Sequence, residues 1–345
     1  MWLTWRDATE RALYGADGFY RAAGQPARHF RTSVHASASY AAALSTLLRR
    51  VDAVIGRPTQ LDLVDVGAGG GELADRMLAL VPSDLRMRLN VTAVEVAPLP
   101  PGAPHEIRWV AEMPATITGL VIANEWLDNI PVDVVEQTAT GPRLVLVEPV
   151  TGIERLGATP DPDDTEWLAQ WWPLADIGDR AEVGRPRDDA WRTLIKRIAC
   201  GVAVAMDYAH TRSHRPPRGT LTGTRLGRPT RPLPDGSCDI TSHVAIDAVA
   251  AAGAAIAADH TGRCDTALKT QRDALHTLGI RGHRPAVALA HSDPAGYLRD
   301  LQKAGEEGEL LDPDGLGGFT WLIQTVNYPG PSPLGACSPD SRSAR

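Results

Sequence analysis

A glycine-rich turn after a short apolar strand carries the clearest chemistry in this sequence. Leu61–Val66 is an apolar run with one interior acid, Asp65, and Gly67, Gly69 and Gly71 follow at a spacing of two residues. Glycines permit a tight turn and close backbone approach to a ligand, and the helix predicted next offers free N–H groups. The pattern predicts a nucleotide-type site in which Asp65 and the three glycines bind the ligand. A chance glycine-rich loop is the alternative, because the chain holds 32 glycines.

Position 72 separates the possible ligands. A dinucleotide-binding loop, G-x-G-x-x-G, would have its third glycine there, but the residue is Glu72. A carboxylate repels a pyrophosphate and suits a ligand that has no phosphate and carries a positive centre. S-adenosylmethionine, whose sulfonium joins an amino acid to adenosine, has this character. The sequence therefore predicts S-adenosylmethionine as the cofactor and disfavours a nicotinamide dinucleotide.

Two further acids follow predicted strands and are candidates for binding the adenosine. Leu89–Glu95 ends in Glu95, at the position where ribose hydroxyls lie in nucleotide-binding sheets. Glu112 follows the strand Ile107–Val110 and is a candidate for the adenine amine. An ordinary strand-end acid and a solvated loop acid are the alternatives.

Polar residues also end the fourth and fifth predicted strands. Asn124, Glu125 and Asp128 follow Gly119–Ala123, and Asp207 ends the fifth strand. In an open α/β sheet the ligand lies beyond the carboxyl ends of the strands, so we expect these four side chains beside the glycine turn, with catalytic roles. Asn124 is also a candidate for the cofactor amine, because its amide both donates and accepts. The alternative for Glu125 and Asp128 is a capped helix start.

A histidine lies in a segment that resembles another helix start. Asp239 or Thr241 would be its N-cap, and His243 follows. His243 is a candidate general base for a hydroxyl or an amine, although a histidine at such a position is more often structural.

The elements that must position these residues alternate between strands and helices. The other predicted elements are a helix capped by Thr4 and ended by Gly15, a helix over 37–55, a hairpin around 140–142, a helix over 188–199, a long loop over 209–237, a strand over 254–258, helices over 265–278 and 293–304, and a strand over 319–326.

Composition excludes several classes of protein. The net charge of the 345 residues is −7 and there is no basic block, which argues against nucleic acid. Cys200, Cys238, Cys264 and Cys337 are scattered without C-x-x-C, which argues against a metal site or a disulfide scaffold. The N-terminus does not resemble a signal peptide, and the apolar runs are too short to span a bilayer. We expect a cytoplasmic protein without a membrane partner.

The order of motifs from about Tyr14 to Val326 resembles the MidA family of S-adenosylmethionine-dependent methyltransferases. The most specific match is Asn124-Glu125-x-x-Asp128-x-x-Pro131-Val132, similar to the family's Asn-Glu-x-x-Asp-x-x-Pro-Val segment. The other similar segments are Asp207-Tyr208, Gly219-Thr220-Leu221, Asp239-Ile240-Thr241-Ser242-His243-Val244, Thr270-Gln271 with Leu278-Gly279-Ile280, and Phe30-x-Thr32-Ser33 with Ser37.

The chain departs from the family pattern mainly in segments other than the glycine turn. Arg28-His29 stands where the family has Gly-Asp, Val34-His35 where it has Pro-Glu, and Ala245-Ile246 where it has Asp-Phe. Prolines within 98–104 replace a helix. The resemblance is therefore stronger in the segments expected to bind the cofactor than in those expected to bind the substrate.

The resemblance implies a class I methyltransferase: an α/β, Rossmann-like mixed sheet with helices on both faces and an inserted substrate lobe. Eukaryotic members assist assembly of mitochondrial complex I by methylating an arginine, which makes a protein arginine the expected acceptor. Glu125, Asp128 and Asp207 are the acids placed to pair with a guanidinium. A small-molecule O- or N-methyltransferase and a non-catalytic S-adenosylmethionine-binding assembly factor are the alternatives.

The predicted domain organisation follows from these segments. It comprises an N-terminal helical segment over 1–56 that contributes to the cleft, a cofactor-binding core over 57–131 and 201–327 with the loop insertion 209–237, an inserted substrate subdomain over 132–200, and a disordered tail over 328–345.

Overall fold

Apolar strands buried on both faces form the centre of the protein in a computed structural model that describes residues 1–21, 33–100, 102–261 and 264–335. The strands are β1 (Leu3–Thr4), β2 (Leu61–Val66), β3 (Leu89–Val94), β4 (Ile107–Val110), β5 (Ile117–Asn124), β6 (Asp133–Thr138), β7 (Gly141–Val147), β8 (Glu154–Leu156), β9 (Arg180–Val183), β10 (Ile198–Asp207), β11 (Ala209–His210), β12 (Thr222–Arg225), β13 (Arg228–Thr230), β14 (Asp239–Thr241), β15 (Val244–Ala245), β16 (Cys264–Thr270) and β17 (Thr320–Val326).

Helices cover both faces of the central sheet and connect some of the strands. They are α1 (Trp5–Tyr14), α2 (Ser33–Ala36), α3 (Ala38–Val54), α4 (Glu72–Leu80), α5 (Ser83–Arg86), α6 (Pro162–Trp171), α7 (Arg185–Lys196), α8 (Ile246–Thr261), α9 (Gln271–Thr277), α10 (Leu289–Ser292) and α11 (Pro294–Leu311), with short 3₁₀ turns at Arg212–His214 and Leu316–Gly318. In the described ranges, no helix has both the length and the apolar character needed to cross a membrane.

The central sheet has seven strands in the order β16-β17-β10-β5-β2-β3-β4. Strands β10, β5, β2, β3 and β4 are parallel, and β17 is antiparallel to both of its neighbours. In the register of these strands Val66 lies beside Ala123 and Val94, and Asn124 lies beside Met206. The residues that follow β2, β3, β5 and β10 therefore leave the sheet at the same edge.

Two apolar layers cover the two faces of this sheet. Residues of α3, α4, α9 and α11 pack on one face, and residues of α7 and α8 pack on the other. This arrangement confirms the predicted α/β class with a mostly parallel sheet and helices on both faces.

A second, antiparallel sheet forms a lobe beside the core, in the strand order β1-β7-β6-β9 with β8 paired to β7. The predicted hairpin is present, with Thr138 opposite Gly141. Helix α1 packs on one face of this sheet and α6 on the other. Thr4 caps α1 by accepting a hydrogen bond from the Asp7 N–H, as predicted. The first 56 residues are therefore divided between lobe and core, because α1 packs on the lobe and α3 on the central sheet.

Three predicted secondary-structure assignments are wrong in the region after residue 237. No helix begins at Asp239 or Thr241: this segment is strand β14, which pairs with β12, and α8 begins only at Ile246. The predicted strand over 254–258 lies inside α8, because its alanines favour a helix when both neighbouring turns are helical. The predicted helix over 265–278 is instead strand β16 followed by α9.

Two further expectations need correction. The loop 209–237 contains β11, β12 and β13 rather than irregular chain alone. The predicted tail is not disordered from residue 328, since Tyr328 and Leu334 are buried in the core and the Arg50 guanidinium donates to the Pro333 carbonyl at 3.0 Å. Phe30, Thr32, Cys337 and the departures at 28 and 29 lie outside the described residues.

Candidate active site

The glycine turn after β2 adopts a backbone that side chains disfavour. Gly67, Gly69 and Gly71 have φ values of 68°, 58° and 79°. A Cβ on Gly67 would lie 2.8 Å from Cδ1 of Trp126, and one on Gly71 would lie 3.2 Å from Cζ3 of Trp109. A Cβ on Gly69 would meet nothing within 4 Å. Gly67 and Gly71 are thus closely packed beneath indole rings, and Gly69 borders open space.

The carboxylate of Glu95 lies against this turn. Its Oε2 accepts a hydrogen bond of 2.9 Å from the Gly69 N–H, and its Oε1 accepts one of 2.9 Å from the Ala97 N–H. The end of β3 therefore holds an acid at the edge of the open space, as the sequence predicts. Glu112 is exposed in the loop after β4 and has no described contact with the turn.

Asp65 is buried within β2. The pKa of its carboxyl is raised to about 7, mainly by burial and further by the nearby charges of Glu95 and Glu72. The Ala74 N–H in α4 donates to this carboxyl and opposes the shift, while Oδ2 has no partner among the described residues. Asp65 thus fastens the start of α4 to the strand and keeps one buried acceptor.

The segment after β5 is a turn and not a helix, so the predicted alternative of a capped helix start is wrong. Glu125 has a left-handed φ of 51°, which is uncommon for a residue with a side chain. The Tyr40 hydroxyl donates to Asn124 Oδ1 at 2.6 Å, and Asn124 Nδ2 donates to Glu125 Oε1 at 3.1 Å. The Ser33 N–H also donates to Glu125 Oε1, at 3.3 Å. These contacts aim the Glu125 side chain across the strand ends.

Asp128 and Asp207 are a pair of buried acids whose carboxyl groups affect each other's pKa. Burial and the neighbouring Asp128 raise the pKa of Asp207 well above its ordinary value, and burial also raises that of Asp128 against the opposing charge of Arg187. Asp207 Oδ2 accepts from the Leu127 N–H at 3.1 Å, whereas Oδ1 of Asp207 and Oδ1 of Asp128 have no partner among the described residues. Two buried carboxyls that repel each other favour a state in which one of them is protonated.

Arg187 of α7 is the buried cation behind this acid pair. Its Nη2 donates to the Asp128 carbonyl and to the Ser242 hydroxyl, both at 2.8 Å, and its Nη1 donates to the His243 carbonyl at 3.0 Å. One guanidinium therefore connects the turn after β5 with the segment between β14 and β15.

A further acid, Asp239, completes the group. Its Oδ1 accepts from the Tyr20 hydroxyl at 2.8 Å and from Asn129 Nδ2 at 3.1 Å. Burial and the charge of Asp128 raise the pKa of Asp239 to about 7. The ring of Tyr20 stacks on Tyr14 with centroids 5.6 Å apart, which places a tyrosine pair along this side of the site.

His243 lies at the exposed side of the same group. Its backbone N–H donates to Thr220 Oγ1 at 2.9 Å, and its ring stacks on Tyr208 with centroids 5.6 Å apart. Partial burial, followed by the charge of Arg187, lowers the pKa of His243. A neutral imidazole at pH 7 is compatible with the predicted general base, which stays a prediction.

The structure brings most of the predicted residues to one edge of the sheet. The residues gathered there are Asp65, Gly67, Gly69, Gly71, Glu95, Asn124, Glu125, Asp128, Asp207 and His243, whereas Glu112 lies apart in its loop. Sequence reasoning missed Tyr40, Arg187 and Asp239 as members of the site. A signal existed for Arg187, because it shares the helical spacing of Trp191 and Leu194 and so lies on the buried face of α7.

The buried acids predict an unusual dependence of stability on pH. The pKa values of Asp65, Glu125, Asp188 and Asp239 are raised to about 7, so the folded protein retains protons that the unfolded chain releases. The stability that these groups contribute is present at low pH, is lost progressively as pH rises from their ordinary pKa values of 3.8 to 4.5, and is gone once pH has passed about 7. The pKa of His210 is lowered to about 3, so this residue makes the protein more stable as pH rises. That gain ends near pH 6.5, the ordinary pKa of histidine.

We therefore expect the melting temperature without ligand to fall between pH 6.5 and 8. Thermal melts across this range measure the slope, and Glu125→Gln should make it shallower because one titrating group is removed. A melting temperature that rises steadily over the same range would contradict the assignment of raised pKa values.

The strand order, the glycine turn after the central strand and the acids at neighbouring strand ends together define a class of protein: α/β enzymes that bind a nucleoside-containing cofactor at the carboxyl edge of the sheet. Residues 44–263 match the family described as "Putative S-adenosyl-L-methionine-dependent methyltransferase", and the chain belongs to this family. S-adenosylmethionine is accordingly its cofactor.

Two solved structures have the same fold over nearly the whole chain. One is a COG1565 superfamily member from Burkholderia thailandensis bound to S-adenosyl-homocysteine, with 24% identity, a TM-score of 0.79, and coverage of 96% of this chain and 90% of that chain. The other is a native structure of a COG1565 superfamily protein from the same organism, with 23% identity, a TM-score of 0.79, and coverage of 97% and 90%. No curated protein matches the chain significantly.

The residues present fit this cofactor. The open space at Gly69 leaves room for a ligand against the backbone, and the side chains that a Cβ on Gly67, Gly70 or Gly71 would meet are those of Trp126, Glu72 and Trp109. The Glu95 carboxylate would repel a pyrophosphate at the place where it now accepts from Gly69. Both observations suit a ligand without phosphate.

Proposed function

We propose that this protein transfers the methyl group of S-adenosylmethionine to a guanidinium nitrogen of an arginine in a protein substrate. The observation that carries the proposal is a group of four carboxyl-bearing residues: Glu125, Asp128 and Asp207, which follow or end strands β5 and β10, and Asp239, which begins β14. A cationic acceptor is the substrate chemistry that such a group attracts, and planar guanidinium matches carboxylates in bidentate geometry.

The distribution of charge supports a cation in front of these acids. Arg187 is the buried cation in contact with the group, and its guanidinium donates to the backbone behind Asp128 and not to the Glu125 carboxylate. The Glu125 carboxylate accepts two described hydrogen bonds, one from an amide and one from a backbone N–H, both at Oε1. Glu125 therefore retains acceptor capacity for a guanidinium, and binding a cation would favour its ionised form.

Each side chain has a distinct part in this proposal. The turn formed by Gly67, Gly69 and Gly71 would hold the methionine portion of the cofactor. The Glu95 carboxylate would give up its hydrogen bond from the Gly69 N–H and accept hydrogen bonds from the ribose hydroxyls instead. Asn124, fixed by Tyr40, would orient the acceptor nitrogen or the cofactor amine.

Bound S-adenosylmethionine would supply an electrophilic methyl carbon with a neutral thioether as its leaving group. Glu125 would fix the plane of the guanidinium and localise its charge away from the attacking nitrogen. The proton that this nitrogen loses after methylation would pass to Glu125 or to His243.

Glu125→Gln tests the role of the acid. The change keeps the shape and removes the charge, so we expect the rate of methyl transfer to fall by about ten- to hundredfold, equivalent to the 1.5–3 kcal/mol of a charge-assisted hydrogen bond. Single-turnover methyl transfer at saturating cofactor measures the rate, and calorimetry measures cofactor affinity, which should be nearly unchanged. The same substitution at the exposed Glu166 is the control. An unchanged rate would remove Glu125 from the acceptor site.

Identification of the acceptor needs a screen in which the protein is the only variable. Lysate incubated with isotopically labelled S-adenosylmethionine, with the protein and without it, should gain label on arginine side chains, located by mass spectrometry. Label confined to small molecules would replace the proposal with a small-molecule methyltransferase. Cofactor binding with no labelled product at all would favour a non-catalytic assembly factor.

A further inference from the structure

We infer that three rings packed in a row, Phe319 tilted against Tyr208 and Tyr208 stacked on His243, form a wall on which the guanidinium of the acceptor stacks, and that this ring stack selects arginine over lysine. The inference rests on the proposed arginine methylation and adds a specificity-determining residue, Tyr208, to it. The argument begins with the position of Tyr208, which directly follows Asp207 at the end of β10.

The ring stack is built outwards from the core. Phe319 is buried, and its ring centroid lies 4.0 Å from that of Tyr208. The Tyr208 ring lies nearly parallel to that of His243, with 16° between the planes and 5.6 Å between the centroids. Phe319 thus fixes Tyr208 from behind, and Tyr208 fixes the outermost ring.

The outer part of the ring stack is available to a ligand. Tyr208 is 43% exposed, which is high for a large aromatic residue packed between two rings, and His243 is exposed as well. Among the described residues, neither the Tyr208 hydroxyl nor the ring nitrogens of His243 have a hydrogen-bond partner. The surface therefore offers both ring area and free polar atoms.

The ring stack also faces the acids that would pair with a cation. Asp207 ends β10 directly before Tyr208, and burial, followed by the charges of Glu125, Asp128 and Asp207, raises the pKa of the Tyr208 phenol. The lowered pKa of His243 keeps the outermost ring neutral near pH 7, and no positive charge there repels a guanidinium.

A planar guanidinium can satisfy both surfaces at once. It can lie flat on the rings while its N–H groups point in the plane towards the carboxylates, whereas the compact ammonium of lysine has no plane to stack. Stacked aromatic contacts of this kind are worth about three- to tenfold in affinity. The ring stack would therefore contribute to the choice of acceptor and not to cofactor binding.

The test compares two small probes, N-acetyl-arginine amide and N-acetyl-lysine amide, on the full protein loaded with S-adenosylhomocysteine. Tyr208→Leu removes the ring and Tyr208→Phe keeps it. We expect the unmodified protein and Tyr208→Phe to bind the arginine probe in preference to the lysine probe in an NMR titration. In Tyr208→Leu we expect about three- to tenfold weaker binding of the arginine probe only, with the affinity for S-adenosylhomocysteine unchanged.

Binding and methyl transfer separate this inference from the function on which it rests. If Tyr208→Leu leaves the arginine preference intact, or weakens both probes equally, the stacking role is wrong even where arginine peptides are methylated. If the preference depends on Tyr208 but no arginine peptide is methylated, the proposed reaction is wrong and the ring stack stands as a guanidinium-binding surface.

Discussion

Replacing Gly69 with valine is expected to weaken S-adenosylmethionine binding by more than tenfold while the protein stays folded. A Cβ at this position meets nothing within 4 Å, so the valine side chain does not clash with the protein and instead projects into the open space beside Glu95. Overfilling a ligand space costs about 1–3 kcal/mol, equivalent to about ten- to hundredfold in affinity. Isothermal titration calorimetry measures the loss, and a melting temperature verifies the fold.

The control for this substitution must carry the same backbone strain. Gly56 has a φ of 86° and, like Gly69, open space where a Cβ would be, but it follows α3 at a distance in sequence from the turn. Gly56→Val should lower the melting temperature by an amount similar to Gly69→Val and leave cofactor affinity unchanged. Normal cofactor binding by Gly69→Val would show that the turn does not hold S-adenosylmethionine, and tight binding of NAD(H) in place of S-adenosylmethionine would refute the assigned ligand.

Replacing Arg187 with methionine is expected to destabilise the protein by about 3–5 kcal/mol, the usual effect of removing one partner from a buried charge group. Methionine keeps much of the buried volume, but the carbonyls of Asp128 and His243 and the hydroxyl of Ser242 lose their donor. Asp128 also loses the cation that lowers its pKa. Urea denaturation measures the free energy of unfolding.

The matched control lies two residues earlier in the same helix. Arg185 pairs with Asp161, Asp163 and Asp164 in a partly exposed network. Because exposed ion pairs contribute about 1 kcal/mol or less each, Arg185→Met should have a much smaller effect. Equal losses in the two variants would mean that Arg187 acts only as a surface charge. Arg187→Lys keeps the charge but has fewer N–H donors in a different geometry. If its free energy of unfolding stays well below that of the unmodified protein, the guanidinium hydrogen bonds matter and not the charge alone.

The sequence was sufficient to predict those parts of the site that depend on local pattern. The apolar run before Gly67, the acid at the end of β3 and the polar residues after β5 all follow strands whose carboxyl ends must share an edge in a parallel sheet. Their approximate places therefore follow from strand order alone. Glu72 likewise indicates a ligand without phosphate, because a carboxylate in the turn repels a pyrophosphate whatever the rest of the fold is.

Other parts of the site depend on contacts that no local pattern contains. The partners of Asp239 are Tyr20 and Asn129, 219 and 110 residues away along the chain, so a nearby helix start was the simplest interpretation of the acid. The turn at Glu125 was expected to be helical in one alternative because its acids are three residues apart. Its left-handed backbone arises where the Glu125 N–H donates to the Met206 carbonyl of the neighbouring strand, at 2.8 Å.

The position of β17 has a consequence for synthesis on the ribosome. This strand inserts between β10 and β16, yet it follows β10 by more than one hundred residues. When the nascent chain has emerged as far as Asp207, the backbone edge of β10 and its apolar side chains are exposed. They stay exposed until residues 320–326 emerge and pair with β10. Such an open edge invites pairing with other chains. We therefore expect slow translation after residue 207 to lower the soluble yield of the protein.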